Sequence, residues 1–396
     1  RVPVGARLKG DTLKLEVYHM LTLEICIIIL EIFFILKFRS VILQLILLVS
    51  FLPLVTMIAF MNNLPVPGVL ALQKKIFTTE ILYTGFVLLT LSNVILISIL
   101  YPLKNEIYKY TPFKCSNLSY TILLLILITS AIISYPRVFG LDFGIDLSTI
   151  YISANIALLL CKRPRNNWGT IIHLFILFFV ILGGDRVDSI VTIVFLGIIA
   201  EKQTNEAIES IKKSYLLIGG ISLFTLSVIS GIIRDGNSVS IISILYSFYA
   251  QQTVSDVLYV FLCSIGYFYE QGHNLSVLGN LFLGIFPGPF YGVVSEYNYT
   301  IFLIKNYLPN PGGGLFFSEG MIAWGPAGVL LYSTIYALCM KKLFGSSKRI
   351  SVALFILSFS MLCRIQWYGF IYSYKPILFT LLFYFIFIHN LKTKEQ

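Results

Sequence analysis

Three arginines stand at positions where a membrane chain seldom places positive charge. Arg186, Arg234 and Arg364 each follow the end of an apolar run. Lysine and arginine normally collect on the cytoplasmic side of a membrane, and these three fall on the opposite side. A guanidinium offers a rigid fork of donors suited to phosphate and carboxylate oxygens, so three at one face point to an anion site. Arg186 lies in Gly183-Gly184-Asp185-Arg186-Val187-Asp188, and Arg234 in Gly231-Ile232-Ile233-Arg234-Asp235-Gly236. The glycines admit close approach of a ligand to the backbone. Arg364 lies in Cys363-Arg364-Ile365-Gln366-Trp367-Tyr368, where Trp367 and Tyr368 are candidate surfaces for stacking a sugar. Two structural readings compete: ion pairs with Asp185, Asp188 and Asp235, and snorkelling to lipid headgroups. For the aromatic residues the competing reading is a membrane-interface belt.

A second group follows Pro311. Gly312, Gly313 and Gly314 precede Leu315-Phe316-Phe317-Ser318-Glu319-Gly320. Successive glycines expose backbone N–H groups, and before a helix they make a candidate cradle for an anion or a sugar. Glu319 falls in the first turns of that helix. It is a candidate general base toward a sugar hydroxyl, against the alternative of a helix-dipole partner or a salt bridge to an arginine. Gly325, Ala327 and Gly328 read as residues for tight helix packing. His273, in Gly272-His273-Asn274, is a weaker candidate base. His173 sits inside an apolar run and reads as a buried hydrogen-bonding residue. Glu24 and Glu31 share one helical face, turned toward a neighbouring helix or a partner. Asp142 and Asp146 have no supporting histidine or acid, so no metal is expected, nor any other cofactor. The six cysteines are scattered without a CxxC pair and read as small core residues.

These residues need a scaffold, and composition says which kind. The 396-residue chain is 57% hydrophobic and only 12% charged, with a mean hydropathy of +0.85. That excludes a soluble domain and predicts an all-α, polytopic integral membrane protein. The net charge of +10 lies mostly in short loops, which marks membrane orientation and not nucleic-acid binding. Apolar runs occur at 21–36, 41–62, 79–102, 119–135, 147–160, 168–183, 187–200, 213–233, 316–340, 350–363 and 376–389. They predict about eleven transmembrane helices, with a range of ten to twelve. Six basic loops alternate onto one side, taken as the cytoplasm; only Lys74 and Lys75 break the pattern. Residues 1–19 are polar and are given no weight in the fold, Met20 being the expected native start. Residues 20–396 form a single transmembrane domain. Its one long connection, 234–315, faces outward and carries short helices on or dipping into the membrane; a re-entrant pair at 257–269 and 275–286 is the alternative.

The Gly-Gly-Asp-Arg turn at 183–186, the arginine after the run ending at 233, the long outer loop and the Gly-rich Ser-Glu segment at 312–319 are similar to those of O-antigen polymerases of the bacterial inner membrane. The resemblance spans 20–396. Such polymerases carry an arginine followed eleven positions later by glycine; Arg186 and Gly197 fit, whereas Leu245 and Lys375 stand at the corresponding places after Arg234 and Arg364. The resemblance implies a GT-C-like, metal-free membrane glycosyltransferase with its active site facing the periplasm. Its partners would be undecaprenyl-pyrophosphate-linked glycans, membrane lipids and a chain-length regulator protein. Arg186, Arg234 and Arg364 would bind the pyrophosphate. Glu319, or less readily His273, would take the acceptor proton, and Gly312, Gly313, Gly314, Trp367 and Tyr368 would line the substrate. The related O-antigen ligases, which carry an outer-loop histidine, remain an alternative. So does a transporter or flippase, which calls for internal repeats, broken helices and midplane charges.

Overall fold

The computed structural model describes residues 22–106, 108, 113, 115–134, 147–161, 168–182, 241, 244, 251–279 and 313–388. Regular structure among them is helical, apart from an isolated parallel bridge between Phe113 and Cys161. The helices in order are α1 (22–37), α2 (Val41–Met61), α3 (Val69–Leu72), α4 (Thr79–Leu100), α5 (Asn117–Ser134), α6 (Ser148–Leu160) and α7 (Trp168–Leu182). After them come α8 (Gln252–Gln271), α9 (Ser318–Trp324), α10 (Pro326–Phe344), α11 (Arg349–Ser360), α12 (Leu362–Tyr368) and α13 (Ile371–Phe383). Four of the described helices are long and apolar enough to cross a membrane: α2, α4 with its following turn, α5 and α10. A fifth span arises if α11 and α12, bent by 64° at Met361, are counted as one. The molecule is therefore an all-α membrane protein, and the expected runs at 187–200 and 213–233 lie outside the described residues.

Local sequence explains where the helices start. The Ser40 hydroxyl faces the Leu43 N–H at the head of α2, and the Thr78 hydroxyl accepts from the Ile81 N–H (3.3 Å) at the head of α4. Glu80 adds negative charge to the first turn of α4, where the helix dipole favours it. Two of the basic loops meet: the Arg39 N–H donates to the Lys104 carbonyl at 2.7 Å, so the ends of α1 and α4 share one face of the bundle.

Glu24 and Glu31 face neighbouring helices of their own chain. The Asn62 amide of α2 donates to Glu24, and the Asn93 amide of α4 donates to Glu31 at 3.0 Å. Asn93 accepts in turn from Ser50 (2.7 Å), and Ser92 meets Ser333 of α10 (2.6 Å). A chain of polar side chains thus ties α1, α2, α4 and α10 together inside apolar surroundings. His173 is buried and its Nε2 lies 2.6 Å from Asn155 Oδ1, in the hydrogen-bonding role expected of it.

Of the outer connection 234–315, expected to carry short helices, residues 251–279 are the main described stretch, and they hold one twenty-residue helix, α8, largely buried from Val254 to Tyr267. Asp256 near its start accepts from the Val69 N–H (2.9 Å), and Tyr259 packs on Phe77 (ring centroids 5.6 Å). Leu262 and Ile265 lie over Gly85, and Tyr269 bonds the adjacent Thr84 (2.7 Å). These contacts seat α8 against the first turns of α4.

One defect organises the centre. Pro53 lies inside α2 and has no N–H for the Val49 carbonyl four residues back. The buried indole of Trp367 supplies the missing donor, Nε1 to Val49 O at 3.3 Å. Next to it, the Gln366 amide donates to Ile46 O (3.2 Å) and to Tyr336 OH (3.1 Å). Trp367, expected as a surface for stacking a sugar, is 5% exposed, and its indole fastens α12 to α2. Trp367→Phe should cost about 1–3 kcal/mol, the penalty of a buried unpaired carbonyl. In a Pro53→Ala background the new N–H takes up that carbonyl and the cost should shrink. Thermal unfolding of the four combinations in detergent measures the difference, and equal costs in both backgrounds would refute the pairing.

Candidate functional site

The Gly-rich segment and the Arg364 helix, distant in sequence, are held together. The Phe316 N–H donates to the Gln366 carbonyl (3.1 Å), and the Tyr368 ring lies against Gly313, where a Cβ would overlap it. Gly313 and Gly314 are buried. The open backbone cradle expected there is thus filled by the Tyr368 ring; Gly312 lies outside the described residues. Phe316 adds ring contacts with Tyr336 (5.0 Å) and Phe370 (5.7 Å), and Phe317 packs on Phe261 of α8 (5.0 Å). The aromatic residues of this segment therefore build a floor of protein, with α8 on one side and α12 on the other.

Glu319 opens α9, a helix of only seven residues. The apolar run at 316–340 was expected as one helix; instead it breaks at Gly325, whose φ of +64° ends α9 and begins α10. That conformation favours glycine. The two pieces fold back until Gly320 and Gly328 touch backbone to backbone, and a Cβ on either would overlap the other's carbonyl. This contact fixes where Glu319 sits: 4% exposed, with Tyr332 of α10 and Tyr374 of α13 near enough to feel its charge. The Ser318 Oγ beside it and the Tyr332 hydroxyl are both buried and have no hydrogen-bond partner among the described residues. A carboxyl from α9 and an unsatisfied hydroxyl from α10 thus lie close to each other, and the hydroxyl of Ser318, next to Glu319 in sequence, is unsatisfied as well. Ser255, Ser360 and Thr380 also leave buried hydroxyls unsatisfied, so what singles this place out is the nearness of Tyr332 to Glu319.

Arg364 lies half-buried on α12, the bent continuation of α11. Tyr368, one turn on, is half-buried as well. Arg186 and Arg234 lie outside the described residues. His273 caps a helix: its Nδ1 lies 3.2 Å from the Ala323 carbonyl, and the next N–H, of Asn274, donates to the Ile322 carbonyl (3.0 Å). Both carbonyls belong to the last turn of α9, where backbone acceptors lack intrahelical donors. Its ring edge also packs on Phe268 (5.0 Å). The structure therefore joins Glu319, Gly313, Tyr368 and the helix of Arg364, and gives His273 a bond that holds α9 in place.

Sequence reasoning missed Tyr332. The signal was its spacing from Gly328: four residues apart on α10, the two share the face that α9 packs against. Beside the joined segments lies a cavity of about 10 Å³, lined by Ser50, Ser92, Asn93, Gln366 and Trp367 among others, room for about one water. Among the described residues, no cluster of histidine, cysteine and acidic side chains could hold a metal. No family model, curated protein or solved structure matches this chain.

The Gly320–Gly328 contact makes a direct prediction. Gly328→Ala should destabilise the protein by about 1–3 kcal/mol, because the added methyl must force α9 and α10 apart. Gly345→Ala is the control, since a methyl there meets only the Lys341 carbonyl at 3.6 Å. Equal melting temperatures for the two variants would contradict the packing described.

Proposed function

We propose that this protein is a membrane glycosyltransferase that polymerises lipid-linked oligosaccharide repeat units, of the O-antigen polymerase type. The observation that carries the reading is the buried Glu319 carboxyl close to the buried, unsatisfied Tyr332 hydroxyl of another helix. A sugar hydroxyl complements both. Glu319 would accept the proton of the acceptor hydroxyl as its oxygen attacks the anomeric carbon of the donor glycan. The glycosyl–pyrophosphate bond breaks, and its electron pair leaves with the undecaprenyl pyrophosphate. Arg364, with Arg186 and Arg234 as the sequence arranges them, would stabilise the charge growing on that leaving group. The setting is the bacterial inner membrane with the site facing the periplasm, and a chain-length regulator is a fitting protein partner.

A second reading has its own support. Helices broken at Gly325 and Met361 and carboxylates buried in α1 are features that transporters share. The banding pattern of lipopolysaccharide in a deletion strain separates the two. A single repeat unit on core supports the polymerase; bare core supports a ligase or a flippase.

Within the polymerase reading, Arg186→Ala or Arg234→Ala should abolish polymer ladders and leave single capped repeat units. Long ladders from a well-expressed variant would remove the arginine from the reaction. Glu319→Gln should lower the single-turnover rate by roughly 10²–10⁴-fold with little change in donor binding. An unchanged rate would exclude Glu319 as the base.

A further inference from the structure

At the other end of the bundle, two cysteines distant in sequence come together. The Phe113 N–H donates to the Leu160 carbonyl (2.8 Å), and Phe113 pairs with Cys161 as an isolated parallel bridge. Cys115 is thus two residues along the chain from the partner of Cys161 in this bridge. Their thiols lie within hydrogen-bond reach of each other, and both are reduced. Cys161 is buried at 2% exposure, whereas Cys115 is half-buried.

The surroundings of the two sulfurs differ. Cys115 stands just before α5, an eighteen-residue helix whose first turn is fixed by the Ser116 hydroxyl, which accepts from the Ser119 N–H (3.0 Å). A helix N-terminus favours an adjacent thiolate. The hydrogen bond with Cys161 holds the Cys115 thiol below its ordinary range; burial works against it, and a smaller contribution from Ser119 works with it. Cys161 is held well above its own by the same hydrogen-bonded pairing with Cys115 and by burial. The Cys115 Sγ also reaches the Phe387 carbonyl (3.9 Å) near the end of the last described helix. Three segments therefore meet at this sulfur pair.

We propose that Cys115 and Cys161 form a two-cysteine redox site, in which Cys115 attacks a small peroxide and Cys161 resolves the product to a disulfide. The Cys115 thiolate attacks one peroxide oxygen; the O–O bond breaks, giving a sulfenic acid on Cys115 and hydroxide. The Cys161 sulfur then attacks the sulfenic sulfur. The S–S bond forms, the S–O bond breaks, and the Cys161 proton leaves with the hydroxyl as water. Two electrons pass from the thiol pair to the peroxide. The disulfide would clamp the head of α5 to the tail of α6. This site stands apart from the glycosyl-transfer reading and does not depend on it.

The experiment treats the purified full chain with hydrogen peroxide, blocks remaining thiols, and maps all six cysteines by peptide mass spectrometry. The expected result is loss of two of the six free thiols, recovery of a cross-linked peptide joining Cys115 to Cys161, and reversal by dithiothreitol. In Cys161→Ser, Cys115 should accumulate as a sulfenic acid that dimedone traps; in Cys115→Ser, Cys161 should stay reduced. The exposed Cys26 and Cys339 serve as internal references. The proposal is overturned if they oxidise while the pair stays reduced, or if Cys115 oxidises without linking to Cys161.

Discussion

An apolar interior cannot leave a backbone carbonyl without a donor, and Pro53 creates that situation in the middle of α2. The Trp367 indole answers it, and the Gln366 amide makes the neighbouring bond to Ile46 O. Two consecutive residues of α12 thereby each donate a side-chain N–H to the backbone of α2. For that to happen α12 must turn away from the direction of α11, and the 64° bend at Met361 provides the turn. The same attachment brings the Gln366 carbonyl to the Phe316 N–H, so the Gly-rich segment is positioned at second hand by the proline. The place of the candidate site thus follows from one absent N–H.

The second constraint is steric. Gly320 and Gly328 let α9 lie on α10 with no side chain between them, and Gly325 allows the reversal that makes this possible. A short helix of seven residues has little stability of its own. Here it is held by the glycine contact, by Phe317 on Phe261, and by the His273–Asn274 pair bonding its last carbonyls. The rigidity that a buried carboxylate needs is supplied by neighbours on α8, α10 and α12, because α9 cannot supply it.

Much of the scaffold was legible because apolar runs and caps report local structure. Helices α1, α2 and α4 to α7 fall within a few residues of the runs read from the sequence, whereas the four-residue α3 lies between two runs. The places where reading failed share a cause. The run at 316–340 looks continuous because glycine and proline at 325–326 sit among apolar neighbours, and hydropathy does not register a change of direction. Trp367 looked like a surface for sugars because nothing near it in sequence mentions Pro53, more than three hundred residues earlier. The polar links from Ser50, Asn62, Ser92 and Asn93 were not read from the sequence, since pairing across helices depends on packing. Of the site itself, Glu319 and its glycines were visible by spacing, whereas Tyr332 enters only once the helices are assembled.

Two kinds of buried carboxyl can be told apart by what surrounds them. Glu24 and Glu31 each accept from an asparagine amide supplied by a neighbouring helix. Those bonds tie α1 to α2 and α4, and a structural role accounts for them; the remaining Glu31 oxygen is a single unpaired atom. At Glu319 the nearby unpaired hydroxyl, that of Tyr332, comes from a different helix, α10. An isolated unpaired atom asks for no more than one water. A carboxyl and a hydroxyl brought together from two elements are the arrangement on which the proposed glycosyl transfer rests. They lie close to each other only because α9 is folded back on α10 at Gly325, where Gly320 meets Gly328.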